Sequence, residues 1–221
     1  MGSNKIRDIY DILFKTFGHQ HWWPGDTQFE IILGAILTQN TSWQNVEKAI
    51  RNIKNAGLMA AAKIYALPED CLAQLIRPAG YFNIKTKRIK SLLKWLFDNY
   101  EGSLEAVGNL SDHALREQLL GIKGVGRETA DSIMLYAFGR AVFVVDAYTA
   151  RILSRHGLID EYCDYEQLRE LLEGALPADA VLFNEYHALF VRVGKDYCRP
   201  KPRCADCPLN CLPIVSGLFE Q

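Results

Sequence analysis

Apolar residues recur three and four positions apart along almost the whole chain, as in Ile6, Ile9, Leu13 and Phe17, or Ile89, Leu92, Leu93 and Leu96. That spacing lays them along one stripe of a helix, whereas a half-buried strand needs alternation, and no long alternating run occurs. The fold class is therefore all-α, with roughly ten helices expected. Several helix starts are legible. Thr27 and Glu30 have the spacing of a capping box, Pro68 suits a first-turn position ahead of Glu69 and Asp70, and Ser111 precedes another amphipathic stretch. The short apolar run from Ala141 to Val145 is isolated and is expected to be an extended connector.

With 221 residues, 49% of them hydrophobic, the chain can bury a sizeable core without disulfide staples. Its apolar stretches fall short of the roughly 18 residues that suggest a bilayer span. The start MGSNKIRDIYDILF lacks the basic and apolar blocks of a secretory signal, so a cytoplasmic protein is expected. In a reducing compartment, clustered thiols read as metal ligands before disulfides. Cys71 and Cys163 stand alone and read as small buried hydrophobes. Cys198, Cys204, Cys207 and Cys211 are different: Cys-x5-Cys-x2-Cys-x3-Cys lets one loop wrap one inorganic core. Four thiolates suit a 4Fe-4S cluster or a structural zinc, although zinc folds more often join two separated Cys-x2-Cys pairs. The five histidines, His19, His21, His113, His156 and His187, show no metal-ligand spacing with carboxylates and read as surface or packing residues.

Lys and Arg number 25 against 26 Asp and Glu, a balance that argues weakly against a polyanionic partner. The distribution says more. Arg77, Lys85, Lys87, Arg88, Lys90 and Lys94 fall in one stretch with no acid among them, which reads as a local basic face, and a second basic stretch runs from Arg192 to Arg203.

Between two amphipathic stretches, Asp112 to Leu120 and Arg127 to Phe138, lies Gly121-Ile122-Lys123-Gly124-Val125-Gly126. Glycines here allow positive φ and leave N–H groups unobstructed, so the turn and the following helix N-terminus can cradle a phosphate; an ordinary helix connection is the alternative. Ile122 and Val125 are expected to point inward and lock the helices together.

The run GIKGVGRETAD followed by VVDAY resembles the helix-hairpin-helix and catalytic aspartate of the endonuclease III superfamily of DNA glycosylases. ILTQNT at Ile36 to Thr41, RPAGYFNIKTKRI at Arg77 to Ile89 and the C-terminal cysteines extend the resemblance over nearly the whole chain. It implies a two-lobed helix-hairpin-helix DNA glycosylase fold. One lobe would be a six-helix barrel over residues 27–136 containing the hairpin (112–138). The other would join 1–26 to 137–221 and carry the cluster loop (198–211), with Asp146 at the mouth of the cleft between them.

The resemblance implies roles residue by residue. Asp146 matches the aspartate that faces the sugar of an extruded nucleotide and stabilises positive charge as the base leaves; its simpler role is a helix N-cap. Bifunctional members carry a lysine directly after the hairpin's Gly-Arg, where this chain has Glu128, 146 − 128 = 18 residues before Asp146. Glutamate cannot form an imine, so a monofunctional glycosylase is expected, with Lys123 and Lys195 as spare amines. The hairpin residues from Gly121 through Lys123, Gly124, Val125 and Gly126 to Arg127 would grip backbone, while Gln39, next to Asn40, would fill the hole left by the flipped base.

WWP at Trp22, Trp23 and Pro24, then Trp43 after TQNTS, with Glu128 at the lysine position, is similar to the bacterial 3-methyladenine DNA glycosylase branch. There, aromatics matching Trp22 and Trp43 sandwich an alkylated base, and a member of that branch has phenylalanine where Trp43 stands. The resemblance also favours iron-sulfur over zinc, although this cysteine loop is tighter than the family's usual one. The implied substrate is double-stranded DNA with a damaged base, 3-methyladenine or a related alkylated purine. A downstream abasic-site endonuclease is the implied partner, and the protein would act as a monomer in a bacterial or archaeal nucleoid. The rival readings are a mismatch-specific thymine or adenine glycosylase and a non-catalytic helix-hairpin-helix DNA-binding module.

Overall fold

The computed structural model describes residues 2–160 and 162–215. Among them there are twelve α-helices and no strand: α1 (Gly2–Phe17), α2 (Gln28–Leu37), α3 (Trp43–Asn55), α4 (Ala61–Ala66), α5 (Glu69–Leu75), α6 (Phe82–Tyr100), α7 (Leu104–Gly108), α8 (Asp112–Gly121), α9 (Arg127–Ser132), α10 (Ala147–Arg155), α11 (Tyr165–Ala175) and α12 (Ala180–Asp196). The count exceeds the expected ten because α4 and α7 are only six and five residues long, too short to show a periodicity. After α9 the chain continues as a π-helical turn, Ile133–Ala137. Residues 139–146 have no regular structure, in keeping with the extended connector read from the sequence. None of the helices is long and apolar enough to cross a membrane.

Two compact units result. One is Trp23–Arg140; the other is built from the described residues before and after it. In the first, α2 is buried along nearly its whole length through Phe29, Ile32, Leu33, Ala35, Ile36 and Leu37. A helix apolar on every side belongs inside a bundle. α6 packs Ile89, Leu92, Leu93 and Leu96 into the same core. In the second unit α1 turns Ile6, Ile9 and Leu13 onto α11 and α12, and the Tyr186 hydroxyl donates to the Ile6 carbonyl at 2.7 Å.

Local signals survive unevenly. Thr27 caps α2 by accepting from the Glu30 amide, but the reciprocal half of the box is missing. Glu30 instead accepts from the Asp26 amide with one oxygen and pairs with Lys54 at 2.7 Å with the other, a charge-assisted contact. Pro68 stands at the cap of α5 and not inside its first turn. Ser111 caps α8. Cys71 is exposed and Cys163 half-buried, correcting the expectation that both are core residues.

The basic stretch is also corrected. Lys85 is buried at 1% exposure and donates to the carbonyls of Leu37 and Ala79, both at 2.8 Å, capping the C-terminal end of α2. Lys90 donates to the carbonyls of Ile64, Tyr65 and Leu67 at the end of α4, and Lys94 pairs with Asp98 one turn on. Three of the six cations therefore satisfy orphan helix carbonyls or a neighbouring acid.

Candidate active site and nucleic-acid interface

The hairpin joins α8 to α9 in the first unit. Ile122 and Val125 are each 5% exposed, while Gly121, Lys123, Gly124, Gly126 and Arg127 face solvent. Only Gly124 takes positive φ, at +93°. Gly121 is the last residue of α8 and Gly126, with φ −95°, is the cap of α9, so two of the three glycines do not need left-handed freedom. Gly124 needs it twice over, because a Cβ there would also strike the Arg88 side chain.

Arg88 ties this turn to the Thr38-Gln39-Asn40-Thr41 loop. Its guanidinium donates to Gln39 Oε1, and Gln39 Nε2 donates to the Gly124 carbonyl at 3.1 Å and to Thr129 Oγ1 at 2.9 Å. The carboxamide is thus held on the hairpin, while the next residue, Asn40, is exposed with φ +53°. Arg77 and Lys87 remain exposed on the same segment. Tyr81, which the sequence did not single out, is 68% exposed on a left-handed backbone (φ +46°) at the start of α6. Its only signal in the sequence is the preceding Gly80, itself at φ +67°.

The aromatic set divides. Trp23 packs edge-on against Trp43 at 5.1 Å and tilted against Tyr136 at 4.8 Å, so close over α2 that a Cβ on Gly34 would sit 3.3 Å from the indole nitrogen. Trp43 opens α3 and donates to Glu47 at 2.8 Å. With Pro24 it lines a hollow that also holds Asp26, Glu30 and Glu47. Trp22 belongs to the other unit, with the Lys195 ammonium 5.9 Å from its ring centre. Glu128 is exposed in the first turn of α9.

Asp146 caps α10. Its Oδ1 accepts from the Thr149 amide at 2.8 Å and the Thr149 hydroxyl at 2.9 Å. Its Oδ2 faces His187 Nε2 at 3.5 Å, with the two side chains 11% and 6% exposed. Burial pushes this carboxyl up; His187, by hydrogen bonding and charge, and the two Thr149 donors more than offset that, so it lies below the ordinary aspartate value. The cap and a charged role are therefore compatible, since the cap occupies one oxygen.

Cys198, Cys204 and Cys207 line one hollow with Ile152, Val193 and Leu209. Burial, then the nearness of Cys198, Cys204 and Cys211, raises the Cys207 thiol against a lowering backbone contact at Leu209. Arg155 donates to Cys198 Sγ at 3.3 Å and to the Arg199 carbonyl. Among the described residues no three His, Cys, Asp or Glu side chains come together as ligands of a single ion. Four thiols in one short loop, Cys198, Cys204, Cys207 and Cys211, are the donor set that a thiolate-bound metal centre would need. Of the neighbouring cations, Arg203 pairs with Asp206, and Lys201 is exposed.

The family model for base excision DNA repair proteins of the HhH-GPD superfamily matches residues 33–178, which span the Gln39 loop, the hairpin and Asp146. The chain belongs to that superfamily. This DNA glycosylase is 50% identical over 214 residues to a Methanocaldococcus jannaschii protein named as a candidate DNA repair glycosylase, a match covering 95% of this chain and 97% of the other. Among solved structures, the H. pylori 3-methyladenine DNA glycosylase bound to 1,N6-ethenoadenine is similar at 29% identity and a TM-score of 0.75, covering 88% of this chain and 97% of that one. A trapped endonuclease III–DNA covalent intermediate is similar at 25% identity and a TM-score of 0.82, covering 95% and 94%. The glycosylase keeps the all-α helix-hairpin-helix fold of these relatives.

Sequence reasoning missed His187, Arg88 and Tyr81 as members of these sites. His187 left no trace because its partner is 187 − 146 = 41 residues away on another helix. Arg88 was visible as a charge but not as the contact between two motifs.

Proposed function

We propose that this glycosylase releases an alkylated purine, 3-methyladenine first among them, by hydrolysis alone. The observation that carries the reading is the Asp146 carboxylate: one oxygen fixed by the α10 cap, the other left over for the sugar. As the bond from C1′ to the base breaks, its electron pair leaves with the base and the ribose becomes oxocarbenium-like. A preformed anion stabilises that charge without reorganising, and water then adds to C1′ and loses a proton. Alkylation at a ring nitrogen makes the base cationic and already weakens the bond, so the pocket need only accept and stack it. Trp22 and Trp43 are the stacking residues in this reading, Trp23 and Pro24 the support, and Glu128 a source of negative potential. The named 3-methyladenine relative, at 29% identity, supports this substrate class.

Glu128 in place of an amine supports a monofunctional enzyme that hands an abasic site to a separate endonuclease. The hairpin from Gly121 to Arg127, with Arg77, Lys87 and Tyr81, binds the duplex, and Gln39 fills the vacated position after leaving Gly124 and Thr129. Cys198, Cys204, Cys207 and Cys211 hold a 4Fe-4S cluster that orders the C-terminal loop. The protein acts as a monomer in the cytoplasm.

Excision from a panel of lesion-bearing duplexes tests the substrate: methylated DNA is expected to lose 3-methyladenine, and activity on thymine or adenine mismatches alone would overturn it. Asp146→Asn is expected to bind abasic-site DNA yet lose roughly 100-fold or more in excision rate. Efficient trapping on damaged DNA by borohydride would end the monofunctional reading. A brown protein absorbing near ~400 nm, where thiolate-to-iron charge transfer lies, would identify the cluster.

A further inference from the structure

Helix packing brings the carboxylate its second partner. α10 and α12 pack against each other. Asp146, the cap of α10, meets His187 in the middle of α12, and Arg151 reaches the carbonyls of Gly194 and Cys198 at the C-terminal end of α12. They cross closely enough that a Cβ on Gly194 would strike the Tyr148 ring, so the spacing between them has no slack. His187 is consequently fixed by packing, 5% exposed within a helix whose neighbouring positions Tyr186, Ala188 and Leu189 are all buried.

The two oxygens of Asp146 are not equivalent. Oδ1 already accepts from the Thr149 amide and hydroxyl. Oδ2 is the oxygen that remains for the reaction, and His187 Nε2 is 3.5 Å from it. We propose that His187 is a positioning residue for base excision, its Nε2–H directed at Asp146 Oδ2 so that this oxygen stays anionic and aimed.

The inference rests on the reading of Asp146 as the group that faces the sugar. At 3.5 Å the contact is at the outer edge of hydrogen bonding, and such contacts tighten when substrate binds. A carboxylate 11% exposed needs more than a cap to stay charged, because desolvation favours its neutral form. Thr149 supplies two donors to one oxygen; His187 supplies the donor to the other. Of the ionisable groups on the packed helices, His187 is the one that acts on this carboxylate. Arg151 and Arg155 on α10 are turned to backbone carbonyls of the cysteine loop, and Glu173 on α11 accepts from the Phe143 amide.

The role is distinct from a structural one in its pH signature. Excision requires the Asp146 anion, so the rate falls in acid as that group takes up a proton. Single-turnover excision of 3-methyladenine from methylated duplex DNA, measured against pH, reads that acid limb. His187→Leu is expected to move the limb upward by about one pH unit or more, with the rate at the plateau less affected. His187→Gln, which keeps an N–H donor, is expected to leave the limb unraised. Should His187→Leu fail to fold, His187→Asn, polar but too short to reach Oδ2, takes its place.

An unmoved limb in the leucine or asparagine variant, or an upward shift equally large in the glutamine variant, overturns the role of His187. Full excision by Asp146→Asn would instead overturn the underlying reading, so the two failures are distinguishable. Direct titration of the Asp146 carboxyl by carbon NMR in the free protein supplies a second readout. The carboxyl is expected below the ordinary aspartate range in the wild type and higher in His187→Leu; equal values would sink the proposal.

Discussion

Arg116 on α8 clamps Asp131 on α9 with two parallel hydrogen bonds, Nε to Oδ1 at 2.7 Å and Nη2 to Oδ2 at 3.1 Å. The clamp lies a turn or more back from the glycine loop on each helix, and Asp131 is completely buried. The hairpin is thus held by its inward apolar residues at the turn and by a charge pair behind it. Asp131→Ala leaves the guanidinium largely buried without its partner, a change that costs about 3–5 kcal/mol in comparable pairs. Denaturant unfolding is expected to show a loss of that order, and Arg116→Leu with Asp131→Leu together to recover much of it. A double variant as unstable as the single one would mean that the pair does more than neutralise itself.

Gly124 and its neighbours give a graded test of the turn. Gly124→Ala imposes a left-handed conformation on alanine, a cost of roughly 1–2 kcal/mol, and pushes Arg88 away from Gln39. DNA affinity is expected to drop with it. Gly121→Ala and Gly126→Ala meet open space at backbones that alanine adopts readily, so each is expected within about 0.5 kcal/mol of wild type. Equal losses at all three positions would show that the turn needs flexibility more than shape.

Lys85 links stability to alkaline pH. Desolvation, and secondarily the charge of Arg88, lowers its pKa from 10.5 to about 8. Between those values the unfolded chain binds the proton that the folded protein has released, so folding is favoured increasingly as pH rises through the window. Relative to Lys85→Met, the wild type is expected to gain up to about 3 kcal/mol between pH 8 and 10.5. Denaturant midpoints of both proteins at the two ends of that window measure it, and a constant difference would contradict the burial of a cation at this position.

Asp146 gives the opposite dependence. A carboxyl lowered in the folded state stabilises fully above its unfolded value, about 3.9, and loses that contribution as pH falls through the folded value. Asparagine caps a helix as well as aspartate does. The gap in melting temperature between wild type and Asp146→Asn is therefore expected to narrow in acid, and a gap that widened would mean that the carboxyl is raised in the fold.

What the sequence disclosed follows from how local each signal is. The helices of the two cores announce themselves because burial imposes a periodicity on residues such as Ile89, Leu92 and Leu96. The hairpin is legible because turn, inward residues and following helix are contiguous. Lys85 and Lys90 were counted as surface charge, since a lysine that caps a distant carbonyl has the same letter as one in solvent. The Glu30 side chain was assigned to its own cap because nothing nearby in sequence reveals Lys54, which arrives from the end of α3. His187 sits on a helix whose register against α10 is a tertiary fact, and no spacing rule reaches across it.

The chain crosses from one unit to the other and back, and this orders events during synthesis. α1 exposes Ile6, Ile9 and Leu13 as soon as it is made, while the surfaces that cover them, on α11 and α12, are translated more than a hundred residues later. The intervening unit can complete its own core in that interval. In a nascent chain the apolar stripe of α1 therefore stays uncovered by its native partners until α11 and α12 have emerged.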